Sequence, residues 1–338
     1  MAQHNPKSSI IFSYFILCVV MFSSIQPVYS DYEELLRPET IPTPQDNPLT
    51  PDRIVLGKAL FFDPRLSDNN DISCASCHQP NNGWASNILV SKLKQQKIMY
   101  RRAVPTLINV AYQRHYGWDG QFTTLEQQAI QPITSAHEMN QDSEALIKEL
   151  SQIVGYQIMF EQAYPNKGIT IQTIAKAIAS FERSIVSNEA PFDRWVKGDE
   201  DAISVDAKRG FNLFEDKANC IACHHGFNFT DNGFHNIGVT GDDDPGRFAL
   251  LPAKILKGAF KTPTLRDVTL TAPYMHNNKY QTLEEVIEHY DRGGDLKTAI
   301  DPNIGPLFLS HQEKKDLLAF LKTLTATPGH VTAPSLTH

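Results

Sequence analysis

The sequence predicts a mostly α-helical chain arranged as two consecutive domains, on three observations. Apolar residues recur at helical spacing in several segments, and little in the sequence suggests a sheet. The 338 residues, 41% of them apolar, suffice for two ordinary cores. One pentapeptide also occurs twice, as Cys74-Ala75-Ser76-Cys77-His78 and as Cys220-Ile221-Ala222-Cys223-His224. Two cysteines, two spacers and a histidine form the c-type haem attachment pattern. The thiols bond to the macrocycle edge, and the imidazole takes one axial position on the iron. Each domain is therefore expected to hold one covalent haem c, the first through Cys74, Cys77 and His78, the second through Cys220, Cys223 and His224. Cys18 is the one other cysteine, so no further pair can close a four-cysteine zinc site. Two disulfides are the other reading of the four motif cysteines in an exported chain. The histidine directly after each pair makes it the weaker one.

Residues 1–30 have the pattern of a secretory signal. Lys7 gives a positive start, Ile10 to Phe22 is an almost unbroken apolar run, and Ser30 is a small residue at the cut. A retained membrane anchor is the alternative, with a run short for a span. Cys18 lies inside the run and leaves with it. The formal net charge is −7, and removing these residues takes away only Lys7 and leaves about −8. Nucleic acid is thereby excluded as a partner, and a periplasmic location is expected, since c-type haem is attached on the oxidising side of the membrane.

The first domain is expected over residues 31–190. Its proline-rich lead, Asp31 to Pro51, is expected to run extended over the surface. A short helix over 52–62 carries the chain to the first motif. The loop from Gln79 to Arg102 holds Lys92, Lys94, Lys97, Arg101 and Arg102. It is a solvated loop or a docking patch for an acidic redox partner. A turn at Gly117-Trp118-Asp119-Gly120 precedes a helix over 124–131 that Pro132 should stop. Glu138 falls in a loop, and a second helix covers 142–150. The apolar stripe over 171–186 closes the first core. The polar stretch 188–201 is expected to be the boundary. The second domain is expected over 200–338, its terminal segment free to pack back on the first. It has a helix over 205–214 leading into the second motif, a Gly- and Asp-rich loop over 226–251, a helix over 283–290 stopped by Gly293-Gly294, and a terminal helix over 313–324.

These residues resemble the bacterial di-haem cytochrome c peroxidases and their MauG relatives. The likeness spans nearly the whole mature chain. It rests on Phe61-Phe62-Asp63-Pro64-Arg65-Leu66-Ser67, Trp118-Asp119-Gly120, the Gln128 to Glu138 spacing, Phe260-Lys261-Thr262-Pro263-Thr264-Leu265-Arg266, and the segment 271–276. The resemblance implies two cytochrome c-like domains, with peroxide cleaved at the haem of His78 and electrons handled at the haem of His224. It makes Glu138 the distal acid–base residue, Gln128 the distal amide, Pro132 a residue crowding that pocket, and Trp118 the indole between the haems. On spacing alone, Glu138 and Gln128 are equally well solvated loop polars, and an isolated tryptophan is core packing.

Two departures from the family bear on mechanism. Many of its peroxidases carry a histidine in the loop before Arg102 that blocks the catalytic iron, and none occurs here between Gln79 and Arg102. The first haem is therefore expected to rest five-coordinate or water-bound, with Met99 or a lysine as the alternative blocking ligand. Where the peroxidases have a methionine ligand to the second iron, counting from His276 gives Tyr290, the residue type of MauG-like proteins. A phenolate stabilises ferric and higher oxidation states. His289 is the competing ligand, about 100° away on a helix. The family also holds calcium through backbone carbonyls matching Thr271 and Pro273 and through an amide side chain replaced here by Ala103. The implied function is peroxide reduction with electrons from a small cytochrome c or cupredoxin. The alternatives are a MauG-type enzyme that uses peroxide to oxidise a partner protein, and a plain electron carrier. A homodimer is an allowed assembly.

Overall fold

A computed structural model of the protein describes residues 1, 32–86, 102–239, 243–296, 300–329 and 331–338. The expected export signal with Cys18, and most of the basic loop with Lys92, Lys94, Lys97, Met99 and Arg101, lie outside the described residues.

One helical crossing is built twice. In the first domain, α1 (Pro51–Phe61) begins with Pro51 in its first turn, and the Thr50 hydroxyl accepts a hydrogen bond from Arg53 N. It packs on α6 (Ile171–Arg183), which opens on a capping box of Thr170 and Thr173. The two helices touch at Gly57, where a Cβ would lie 1.9 Å from Ala177 O. In the second domain, α8 (Val205–Glu215) crosses α10 (His311–Thr323) at Gly210, where a Cβ would lie 1.9 Å from Asp316 O. Four residues beyond each contact, aromatic rings close the angle: Phe61 on Phe181 at 5.2 Å and Phe214 on Phe320 at 5.0 Å. Each haem motif follows the first helix of its pair, as the short α2 (Cys74–Cys77) and as a 3-10 turn over Cys220–Ala222.

Around these crossings sit two cores. The first gathers Leu56, Leu60, Ile174 and Ile178 with residues of α3 (Leu125–Thr134), α4 (Ser143–Ser151) and α5 (Val154–Ala163). The second gathers Phe211, Phe229, Leu317 and Leu324 with α7 (Pro191–Val196) and α9 (Leu283–Asp291). Among the described residues, sheet structure is confined to β1 (Phe234–His235) and β2 (Phe260–Lys261), antiparallel, with His235 opposite Phe260. Among the described residues no helix is long and apolar enough to cross a membrane.

Three local expectations change. Pro132 does not stop α3, which continues to Thr134 with Ser135 N donating to Gln131 O. A proline in the last turn costs one backbone bond there, and Ile133, fully buried, holds the turn in place. The polar stretch 188–201 contains α7, whose Phe192 is fully buried against Phe211 and Phe320. The lead does not merely run over the surface. Leu35 is buried in the second core, while Asn47 is buried in the first domain and donates to Glu126 Oε1 and Lys176 O, both at 2.9 Å. At the other end of the chain, Gly155 N donates to His338 O at 3.1 Å and Arg65 Nη2 to Thr337 O at 3.1 Å.

Candidate functional site

Both motifs open into one large, mostly apolar cavity of about 760 Å³, lined by Cys74, Cys77 and His78 from one domain and by Cys220, Cys223 and His224 from the other. The four motif cysteines are free thiols, so the disulfide reading is not taken up in the structure. Burial pushes the Cys77 thiol up to about 11 and the Cys220 thiol up to about 12. Each histidine is aimed by the same device. His78 Nδ1 lies 3.1 Å from Trp84 O, and His224 Nδ1 lies 2.8 Å from Phe229 O. Trp84 and Phe229 both adopt left-handed backbone, at φ 57° and 48°, an uncommon conformation for large side chains. That turn brings the carbonyl to the ring, so Nδ1 donates and Nε2 is left for a metal. Burial lowers His78 to about 4, which keeps the imidazole neutral, as a ligand must be.

Beside the first motif, α3 presents Gln128 and Pro132 to the cavity, four residues and about one turn apart. Glu138 follows on the next loop and lines the same space. Its Oε2 is buried with no hydrogen-bond partner. Burial raises its carboxyl above the ordinary range, opposed by hydrogen bonds from Gln131 and Ser135. Trp118 joins the two domains. Its Nε1 donates to Ala103 O at 2.9 Å, its carbonyl accepts from Lys261 N at 2.8 Å, and its ring lies 6.4 Å from that of His276. His276 stacks on Phe260 at 3.6 Å.

Beside the second motif, Tyr290 of α9 lines the cavity, and burial among Cys220 and Cys223 raises its phenol well above the usual range. His289 is turned elsewhere: Nδ1 lies 3.0 Å from the Tyr280 hydroxyl and Nε2 2.9 Å from Ile237 O. Both ring nitrogens of His289 are thus engaged by Tyr280 and Ile237, and the ring is not part of the cavity lining.

Three wall residues carried no assigned role in the sequence. Lys261 was visible only as part of a motif. It is buried, burial lowers its ammonium to about 8, and no hydrogen bond or ion pair reaches its Nζ among the described residues. His235 lies between Asp231 at 2.8 Å and Asp301 at 2.7 Å; Asp231, then the Cys223 thiol, then Asp301 raise it to about 11. Glu182 is a lone acid in an apolar stripe. The paired thiols and histidines, the apolar lining and the buried Lys261, which feels the charge of Asp231 but bonds to no carboxylate among the described residues, fit two haems with their anionic propionates. Calcium is less well matched. Ala103 brings no side-chain oxygen, its carbonyl is taken by Trp118, and its N–H donates to His276 O. The one cluster of three metal-type side chains among the described residues is Cys223, Asp231 and His235. Calcium normally takes six to eight oxygens.

Comparison with known proteins agrees with this chemistry. A family model described as di-haem cytochrome c peroxidase matches residues 51–201, and one described as cytochrome c matches residues 207–325. The chain is 43% identical over 303 residues to methylamine utilization protein MauG of Methylorubrum extorquens, covering 89% of this chain and 86% of that protein. It is 33% identical over 301 residues to cytochrome c551 peroxidase of Nitrosomonas europaea, covering 86% and 84%. The crystal structure of a MauG-like protein associated with microbial copper homeostasis superposes with a TM-score of 0.79 at 30% identity, covering 86% of this chain and 94% of that one.

Proposed function

The chain belongs to the di-haem cytochrome c peroxidase and MauG family, an oxidoreductase family with haem c in two cytochrome c-like domains, and from that premise we propose that it uses peroxide to oxidise a partner protein, in the manner of MauG. Tyr290 carries this reading. A hard phenolate at the second iron favours ferric and higher oxidation states over the ferrous state that a dedicated electron acceptor needs. The stronger similarity to the MauG relatives, 43% and 44% identical against 32–34% for the peroxidases, points the same way.

Haem supplies the redox-active iron at which the oxygen–oxygen bond of peroxide breaks. His78 Nε2 and His224 Nε2 would each hold a haem iron, and Tyr290 Oη would be a further ligand to the iron of His224. Gln128 orients peroxide through its amide. Glu138 Oε2 takes the proton from the inner oxygen and returns it to the outer one, which then leaves as water. Trp118 is the aromatic relay between the domains. Cys74, Cys77, Cys220 and Cys223 anchor the two groups. Thr271 and Pro273 are kept as the carbonyl donors of an interdomain calcium, and no step is assigned to it. Export to the periplasm, which rests on residues 1–30, completes the reading.

The second reading is peroxide reduction to water with a small cytochrome c or cupredoxin as donor. The Glu138 and Gln128 pocket serves either reading, and the relatives named cytochrome c peroxidase, 32–34% identical, support this one. Steady-state peroxide turnover with a reduced small cytochrome separates them: poor turnover supports the MauG-type reading, and turnover faster than about 10 per second, an ordinary enzyme rate, rejects it. Tyr290→Phe should change the absorption and electron paramagnetic resonance spectra of the second haem alone. An unchanged spectrum would remove Tyr290 as a ligand.

A further inference from the structure

The repeated crossing gives each domain an internal control for the other. Superposing the close contact at Gly57 and Ala177 on that at Gly210 and Asp316 pairs Phe61 with Phe214 and Phe181 with Phe320. It also sets Glu182 opposite Leu321. Both line the haem cavity, and both are buried, Glu182 at 4% exposure and Leu321 at 9%. The second domain fills this place with hydrocarbon, and the first fills it with a carboxyl group. A buried carboxyl is costly unless paired, and this one is not: Glu182 Oε2 has no hydrogen-bond partner. The adjacent Arg183 is committed to Glu126, with two bonds of 2.7 and 2.9 Å. Packing alone is satisfied by leucine, so packing does not account for the acid.

From this geometry we infer that Glu182 is the redox-linked proton site of the first haem: Oε2 binds a proton as an electron enters that haem and releases it as the electron leaves. The inference rests on His78 holding a haem and on the enzyme class assigned above. Reduction of one peroxide to two waters consumes two electrons and two protons. The electrons come from the donor protein or oxidised partner, and the protons from solvent. A carboxyl in the haem wall gives one of those protons a place inside a mostly apolar cavity. An electron added nearby raises the proton affinity of a carboxyl, and by linkage the bound proton raises the haem potential. Burial already holds this carboxyl up to about 8. The charged and titratable groups acting on it are Arg183 of its own helix, Glu126 of α3, the Tyr116 phenol and Cys74 of α2. Arg183 lowers it and Glu126 raises it, the arginine with the larger effect. Cys74 becomes a neutral thioether once haem is attached.

The test uses the two-haem protein and its Glu182→Gln and Glu182→Leu variants. The midpoint potential of the first haem is followed by spectroelectrochemistry from about pH 5 to about pH 9, the range over which a raised carboxyl titrates. The wild-type potential should fall by up to ~59 mV for each tenfold drop in proton activity, the one-electron conversion. Both variants should flatten that slope and leave the second haem unchanged. The infrared difference between oxidised and reduced protein should contain a protonated-carboxyl band that Glu182→Gln removes. A slope and band that persist in Glu182→Gln overturn the inference, as does their loss in Glu138→Gln alone. If neither variant takes up two haems, the wild-type protein decides: no proton uptake on reduction and no carboxyl band overturn it. Peroxide reactivity is scored separately, so failure of the proton coupling leaves the enzyme class standing.

Discussion

The proposed mechanism requires Glu138 to be a base at the moment peroxide arrives, and its surroundings make that condition pH-dependent. Burial raises its folded-state carboxyl above the ordinary value. The ionised form is therefore present only above that raised value, so reaction with peroxide accelerates as pH rises through it and fades as pH falls below it. Glu138→Gln should lower the second-order rate with peroxide by about 10²–10⁴-fold, the usual share of a general acid–base group, and should lose the pH dependence. Stopped-flow spectra at several pH values check both, with haem content measured alongside. An unchanged rate would return Glu138 to the status of a solvated polar. Residues at this scale differed in how far the sequence revealed them. The haem motifs were plain, because covalent attachment demands fixed spacing. Tyr290 could be reached only by counting along a family pattern, and its geometry against His289 needed the fold. Glu182 and Lys261 were hidden for one reason: charged side chains are assumed to face water, and neither a helical stripe nor a motif shows which ones do not.

At the scale of elements, the two glycine crossings decide where each haem motif sits. Helices this close leave no room for a side chain at the contact, and a backbone carbonyl cannot move aside without moving its helix. Gly57→Ala and Gly210→Ala should each destabilise the protein by about 1–3 kcal/mol, the range for overpacking a tight interior. Gly305→Ala, where an added Cβ meets nothing within 4 Å, serves as the neutral control. Chemical denaturation of the two-haem protein measures the difference, and equal stability of all three variants would refute the crossing as drawn. Helices with strong one-sided patterning, such as α6, were legible to within a few residues. The six-residue α7 was not, because Pro191, Asp193 and Arg194 interrupt the apolar pattern and its two core anchors, Phe192 and Val196, are too few to show a helical period. The continuation of α3 past Pro132 was likewise invisible, since it depends on tertiary burial of Ile133 and not on local propensity.

At the scale of the whole molecule, several segments tie the two domains into one unit. The lead puts Leu35 into one core and Asn47 into the other domain, the terminal residues return to α5 and Arg65, and Trp118 hangs from Ala103 while its carbonyl takes Lys261 N. Of these links, Trp118 is the one whose side chain is both aromatic and part of the shared cavity wall. Replacing it with phenylalanine removes the indole N–H and its bond to Ala103 O, a loss of about 0.5–1.5 kcal/mol, and leaves both haem motifs untouched. Trp118→Phe should therefore keep two haems, resting spectra close to wild type and the first haem's initial reaction with peroxide. The change should appear afterwards. In wild type, the proposed relay predicts that the second haem's spectrum responds almost together with the first. In the variant that response should lag or disappear. Rapid-mixing spectra read at wavelengths specific to each haem give the two time courses directly. If they remain synchronous in Trp118→Phe, charge crosses between the domains by another route, and the indole is a packing residue of the interface.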